Sequence, residues 1–424
     1  MLQAIGIASL EELFADIPAA ARNPRLQLPA PRSEAELRRE LEELAACNLT
    51  SPPSFLGGGA YRHFVPAVVR HLVGRSEFAT AYTPYQPEIS QGTLQGIFEF
   101  QSLVCQLLAM DVANAGMYDG ASALAEACLM ACRLTGRRRV IALDSASPRL
   151  LEVVRSYTQA LEIRVETART LPSTIAGDVA CVVVQHPSFF GYLEDADGAA
   201  RSAHAAGALL VMSVDPVSLG MLRPPGELGA DIAVADGQAL GGALSFGGPS
   251  VGLLACRQQY IRQLPGRLVG QTLDQDGRAG YVLTLQTREQ HIRREHATSN
   301  ICTNDSLVAL AAAIHLAALG RQGLRRVAEL CYHKAHYAAG RIAALPGYQL
   351  PLAGTFFKEF VVACPRPPRE VNAILAERGI VGGLDVSDLS PNGMLLCVTE
   401  LHRREEIDNL AAGLQAAGQR AARG

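Results

Sequence analysis

Lysine is almost missing from this chain of 424 residues: only Lys334 and Lys358 stand against thirty-six arginines. Any chemistry that needs a side-chain primary amine therefore has two candidates. There is no Cys-x-x-Cys pair among the ten cysteines (Cys47, Cys105, Cys128, Cys132, Cys181, Cys256, Cys302, Cys331, Cys364 and Cys397), and several lie inside apolar runs. That pattern argues against a disulfide framework and for reduced core thiols. Net charge is only -3, with 19% charged residues, and nothing suggests the basic patch of a nucleic-acid footprint. No run is read as reaching the ~18 apolar residues of a membrane span. The opening stretch Met1–Pro18 carries acids and no basic n-region, unlike a secretory signal. The expectation is a soluble, cytoplasmic protein engaging neither membrane nor nucleic acid. Internal repeats and low-complexity linkers are also missing.

What is present is apolar. Hydrophobic residues make up 49% of the chain, enough to bury a large core, which suggests one big domain with smaller additions. Residues 1–75 read as an N-terminal arm. In it Ser33 and Glu36 form a capping box, and Leu37, Leu41 and Leu44 then share one helical face. That helix ends before Thr50-Ser51-Pro52-Pro53 and must bury its stripe elsewhere, on its own domain or on a partner chain.

Residues 76–306 alternate strand and helix signals. Strands are expected at Val140–Leu143, Ile163–Glu166, Val179–Gln185, Ala208–Val214, Asp231–Ala235 and Val251–Cys256. Helices are expected at Ala121–Leu134, Pro148–Leu161 and Asp195–Ala206. Short buried runs separated by helices predict an α/β fold with a mainly parallel sheet covered on both faces. Ligands in such folds sit beyond the carboxyl ends of strands, which singles out Asp144, His186-Pro187, Asp215 and Asp236. Residues 307–424 read as a smaller C-terminal α/β domain, with a long helix from Leu307–Leu319, strands at Val361–Ala363 and Met394–Thr399, and a last helix at Arg404–Ala416.

Several motifs carry polar groups. Gly57-Gly58-Gly59-Ala60-Tyr61-Arg62 fits neither a P-loop nor a dinucleotide fingerprint and reads as a flexible turn. The prolines in Tyr82-Thr83-Pro84-Tyr85-Gln86-Pro87-Glu88-Ile89-Ser90-Gln91 keep that stretch irregular, as a functional loop or a surface loop with buried tyrosines. Tyr118-Asp119-Gly120-Ala121-Ser122-Ala123 opens a helix, as a phosphate seat or an ordinary cap. Arg288–Asn304 concentrates guanidinium, imidazole and short polar groups suited to anions. His291 and His296 are five apart, so they do not share the i,i+4 face of a zinc helix. His333 and His336 lack a third ligand. No metal site is expected.

Taken together, these strings resemble the glycine cleavage P-protein family, in its N-terminal half-type, or alpha, subunit. The resemblance covers nearly the whole chain. It rests on Gly6–Pro18, Phe55–Val65, Tyr82–Gln91, Arg288–Asn304, Lys334-Ala335-His336-Tyr337 and Gly382-Gly383-Leu384-Asp385. It implies the aspartate-aminotransferase type (fold type I) of pyridoxal-phosphate-dependent transferases. In that fold an aspartate at a strand end pairs with the pyridine nitrogen, and a lysine after the next strand forms an imine with the cofactor. Asp215 takes the first place. Gln238 falls at or beside the second, and neither lysine is expected near it, since Lys334 and Lys358 both lie in the C-terminal unit. The resemblance therefore implies a vestigial cofactor site at Ser122, His186, Asp215 and Gln238, and no catalytic residue in this chain alone. It also implies a beta subunit that holds pyridoxal phosphate, the alpha-beta pair being dimerised again to alpha2beta2. Together the chains would act as glycine dehydrogenase (aminomethyl-transferring), decarboxylating glycine and loading the lipoamide of H-protein. Tyr82, Thr83, Tyr85, Gln86, Glu88, Ser90 and Gln91, with Thr298, Ser299 and Asn300, would line the shared active site. The alternative is a scaffold or regulatory pseudoenzyme of the same fold.

Overall fold

The apolar runs between residues 112 and 256 become strands because β-branched and aliphatic side chains fill both faces of a pleated sheet. A computed structural model describes residues 1–48, 52–172, 174–286, 290–297, 299, 301 and 304–421. By its contacts the chain divides into two units, Met1–Pro52 and Pro53–Gly424.

The first unit contains helix α1 (Glu34–Ala46). Ser33 Oγ accepts from the Glu36 amide and the Glu36 carboxylate accepts from the Ser33 amide, the expected capping box. Its apolar stripe of Leu37, Leu41 and Leu44 is exposed, and no described residue of this unit is buried.

The second unit is built on a seven-stranded sheet. Its strands are β1 (Val112–Ala113), β2 (Arg139–Leu143), β3 (Arg164–Ala168), β4 (Val179–His186), β5 (Leu209–Val214), β6 (Ile232–Asp236) and β7 (Gly252–Cys256), in the order β1-β7-β6-β5-β4-β2-β3. Neighbours from β3 to β6 are parallel, and β7 is antiparallel to both β6 and β1. Helices cover both faces, as continuous apolar strands require. On one face α2 (Gln91–Leu108) and α5 (Ala196–Ala205) pack Phe100, Val104, Ala199 and Ala203 against Val182, Val184, Leu210 and Met212. On the other, α3 (Gly120–Thr135) and α4 (Pro148–Thr158) pack Leu124, Cys128, Leu151 and Val154 against Val140, Val183, Val211 and Val234. A hairpin of β8 (Leu268–Leu273) and β9 (Ala279–Thr284) follows.

The long helix α6 (Ser306–Ala343) is two helical segments broken at Gly320, whose φ of 60° is left-handed. It is long and apolar enough to cross a bilayer by length and composition, which corrects the reading that no such run exists. Part of its apolar surface (Ala309, Ala312, Ala313 and Leu316) lies in the core over the sheet. The chain ends in a three-stranded antiparallel sheet of β10 (Glu359–Ala363), β11 (Leu384–Asp385) and β12 (Gly393–Cys397), with α7 (Pro368–Ala376) and α8 (Arg404–Ala421). Phe360, Val362, Leu396, Ile407, Leu410 and Leu414 form its core. Seven of the nine described cysteines are buried.

Candidate functional site

The carboxyl ends of β4, β5 and β6 open into a cavity of about 290 Å³. Gln185, Asp215, Asp236 and Gln238 line it from the sheet, and Gly58–Tyr61 line it from the glycine run. Phe357, Lys358 and Glu359 close it from the start of β10. The cavity lies where strand-end logic expects a ligand.

Asp215 receives a lysine from the C-terminal part of the chain. Lys358 Nζ lies 2.7 Å from Asp215 Oδ2, with the lysine side chain 1% exposed. The expectation that neither lysine lies near this site is thus corrected: the chain returns through β10 and brings Lys358 onto the strand end. An ammonium has three N–H donors. Besides Asp215, Lys358 Nζ meets His63 Nε2 at 3.0 Å and lies 3.5 Å from the centre of the Tyr61 ring. Burial is the largest single influence on Lys358 and opposes its charge, but Asp215, Cys397 and Cys331 together outweigh it and hold the pKa above the ordinary lysine value.

The next layer is wired from this ammonium. Lys358 can only donate, so His63 Nε2 accepts, and Nδ1 carries the proton donated to Glu400 at 2.7 Å. Burial first, then the Lys358 charge, lowers the His63 pKa, so the ring is neutral. Glu400 also accepts from the Phe64 amide at 2.6 Å and the Cys331 thiol at 3.5 Å. The ligand atoms of His63, Cys331 and Glu400 lie within 4.8 Å of one another, a spacing a metal ion can use. Here each atom is spent in the hydrogen-bond chain, and the Lys358 cation touches the same imidazole.

Gln238 is buried and fully engaged. Its Oε1 accepts from the Tyr61 amide, and its Nε2 donates to the carbonyls of Tyr61 and Gly242, all at 2.9 Å. Tyr61 in turn donates its hydroxyl to Glu359 Oε2 at 2.7 Å, and the Gly58 amide donates to Oε1 at 2.6 Å. Burial pushes the Glu359 carboxyl up to about 7, although the Gly58 and Tyr61 hydrogen bonds oppose that rise.

The start of α3 is closed by carboxylates. Asp119 Oδ1 accepts from the Ser122 amide at 2.7 Å, and Asp236 Oδ2 accepts from the Gly120 amide at 3.0 Å. Gly120 is required by this approach, since a Cβ there would fall 2.8 Å from the Asp236 Cβ. Ser122 serves the helix cap through its hydroxyl and amide. His186 is buried, and its Nδ1 accepts from the Glu194 amide at 3.2 Å. Neither His186 nor Asp144 lines the cavity.

The second predicted group of residues gathers on another face. Tyr82 and Tyr85 are exposed, as are Gln86, Glu88 and Gln91. Thr83 and Ser90 are half-buried. Gln91 clasps β9: its Nε2 donates to the Tyr281 carbonyl at 2.8 Å and its Oε1 accepts from the Tyr281 amide at 2.9 Å. Tyr85 is held by Arg267, whose Nη2 donates to the phenol at 3.1 Å while the guanidinium lies 5.3 Å from the ring centre. Beside Arg267, the Gly266 amide donates to Ser299 Oγ at 3.3 Å. The loop and Ser299 thus converge on Gly266-Arg267, just before β8. Thr298 and Asn300 lie outside the described residues. Arg267 was not anticipated; only its place after Pro265-Gly266 hints at a turn.

The family model for the glycine cleavage system P-protein matches residues 1–414. The chain belongs to the glycine cleavage system P-protein family. It is 55% identical over 433 residues to a probable glycine dehydrogenase (decarboxylating) subunit 1 of Thermomicrobium roseum, covering 98% of this chain and 97% of that one. A solved glycine decarboxylase (P-protein) of the glycine cleavage system, in inhibitor-bound form, superposes with a TM-score of 0.93 at 47% identity, covering 98% of this chain and 97% of that chain. The sphingosine-1-phosphate lyase of Burkholderia pseudomallei shares the fold, with a TM-score of 0.68 at 16% identity over 96% of each chain. The fold is fold type I of the pyridoxal-phosphate-dependent enzymes.

That family fold raises the question of whether this pocket fits pyridoxal phosphate. It does not. Gln238 offers no amine for an imine, Lys358 already holds Asp215, and carboxylates meet the first amides of α3.

Proposed function

We propose that this chain is the alpha subunit of a two-chain glycine decarboxylase. In this reading a beta subunit supplies the imine-forming lysine and holds pyridoxal phosphate, which serves as electron sink. The pair decarboxylates glycine, releases carbon dioxide and passes the aminomethyl group to the lipoyl arm of H-protein, working in the cytoplasm as alpha2beta2.

The observation that carries this reading is Gln238. In this reading it stands at or beside the lysine position, as a side chain without an amine, locked onto Tyr61 and Gly242. Relatives named as subunit 1, matched over 98% of this chain, support a complex with another subunit. The rim of this chain then has work to do. In this reading Tyr82, Thr83, Tyr85, Gln86, Glu88, Ser90 and Gln91, with Thr298, Ser299 and Asn300, contribute to the lining of the shared site, which orients the glycine carboxylate and excludes water. Arg267 holds Tyr85 in that rim.

The test is glycine-dependent exchange of labelled bicarbonate with lipoylated H-protein and pyridoxal phosphate. It is run on this chain, on the beta chain and on their mixture. Activity in the mixture alone is expected. Activity from this chain alone would overturn the reading, and an inactive mixture of folded, associated chains would point to another substrate.

A further inference from the structure

We propose that Lys358 and Asp236 are built-in replacements for the two charged ends of pyridoxal phosphate, so that this chain holds the cofactor-bound form of its fold with its own side chains. The inference rests on the reading that the partner subunit carries the working cofactor.

The positive end is replaced at β5. In this fold the strand-end aspartate faces a protonated pyridine nitrogen. Here Asp215 faces the Lys358 ammonium at 2.7 Å. The surroundings of that ammonium are complete: Asp215, the His63 imidazole at 3.0 Å and the Tyr61 ring face at 3.5 Å take its three donors. Buried ion pairs are tolerated only when the remaining donors and acceptors are satisfied in this way.

The negative end is replaced at α3. First-turn amides of a helix of this length attract phosphate through free N–H groups and the dipole. In this chain the Gly120 amide donates to Asp236, and the Ser122 amide donates to Asp119. Asp236 is itself fixed, since its Oδ1 accepts from the Gln238 amide at 2.9 Å and the Ser250 hydroxyl at 2.6 Å. An arriving phosphate would meet two carboxylates and no free amide at these positions. An arriving pyridinium would meet a lysine ammonium.

Both replacements come from positions that need no change in the fold. Asp236 is the last residue of β6, and Lys358 immediately precedes β10. The glycine run is drawn over them by Gln238, Glu359 and Tyr61. The site is thus a filled charge pattern rather than a lost one, and the chain needs no cofactor to close it.

The experiment titrates pyridoxal phosphate into this chain alone, so its outcome does not depend on the exchange assay of the complex. Wild type is compared with Lys358→Ala/Asp236→Ser, and folding of each is checked by circular dichroism and a cooperative melt. Expected is no saturable binding by wild type, and binding at least ~tenfold tighter by the double variant. That binding should be reversible and leave no borohydride-fixed adduct in the pocket, because Gln238 has no amine. Saturable binding in the wild-type pocket overturns the proposal. So does a folded double variant that binds no better than wild type. If the double variant fails to fold, the single variants decide. Lys358→Met should melt higher with pyridoxal phosphate than without it, and Asp236→Ser should bind inorganic phosphate that wild type ignores. Absence of both gains overturns the proposal.

Discussion

The side-chain amide of Gln238 pairs with both the backbone N–H and the backbone C=O of Tyr61, each at 2.9 Å. This geometry fixes the orientation of the amide, because only oxygen can accept from the Tyr61 amide and only nitrogen can donate to the two carbonyls. It also ties the glycine run to the turn after β6. Lysine at this position would lose the acceptor and leave the half-buried Tyr61 N–H unsatisfied. Gln238→Lys should therefore destabilise the chain by about 1–3 kcal/mol. It should also form no imine with pyridoxal phosphate, since Lys358 and Asp236 still fill the pocket. Absorbance after adding the cofactor, together with thermal melts, checks this. An imine band in the single variant would show that the pocket accepts the cofactor despite both residues.

The ion pair of Lys358 with Asp215 should behave as a coupled unit. Lys358→Met leaves a buried carboxylate without its cation and should cost about 3–5 kcal/mol. Lys358→Met/Asp215→Asn removes both charges and keeps an oxygen for the Val217 amide, which Asp215 now accepts at 3.0 Å. The double variant should be more stable than Lys358→Met alone, with a coupling of more than ~1 kcal/mol in a double-mutant cycle. Simple additivity in denaturant unfolding would refute the coupling.

Much of this architecture is legible because the sheet is buried on both faces. Val179–His186 and Leu209–Val214 are strands with almost no polar interruption, and their ends placed Asp215 at the cavity before any contact was known. The Ser33–Glu36 box likewise reports a local rule that needs no tertiary information. The site itself was legible only in part. Lys358 reaches Asp215 through packing of the C-terminal sheet, which no local pattern encodes; its only signal was the scarcity of lysine. The β8–β9 hairpin carries an Asp276-Gly277 turn signal between residues of weak alternation, and it went unread. Arg267 became visible only once the loop of Tyr85 was folded over it.

Glu359 should give the chain a distinctive pH dependence. Its folded pKa is raised to about 7, mainly by burial. A raised pKa means the folded state binds the proton more tightly than the unfolded state. The resulting stability is fully present below the ordinary glutamate value of about 4.3 and is lost as pH rises through about 7, by up to roughly 3 kcal/mol. Glu359→Gln cannot ionise and should flatten this part of the profile. Melting temperatures of wild type and Glu359→Gln between about pH 4.5 and pH 8 check the sign, with wild type losing more as pH rises. Equal slopes would remove Glu359 as the source.

In the proposed complex, Arg267 should matter to the shared site rather than to assembly. Arg267 is 6% exposed, and its guanidinium lies against the Tyr85 ring and donates to the phenol. Arg267→Lys keeps a charge but loses the planar face and the fork of donors. The loop should then sample other positions, and misplacement of a rim group by an ångström is worth on the order of 10²-fold in rate. Tyr85→Phe retains the stacked ring and loses one hydrogen bond, worth about 1 kcal/mol or several-fold. Both variants should still co-elute with the beta subunit on gel filtration, while bicarbonate exchange falls more for Arg267→Lys than for Tyr85→Phe. Loss of association in parallel with activity would instead assign Arg267 to building the interface, and full activity in both variants would remove Tyr85 from the shared site.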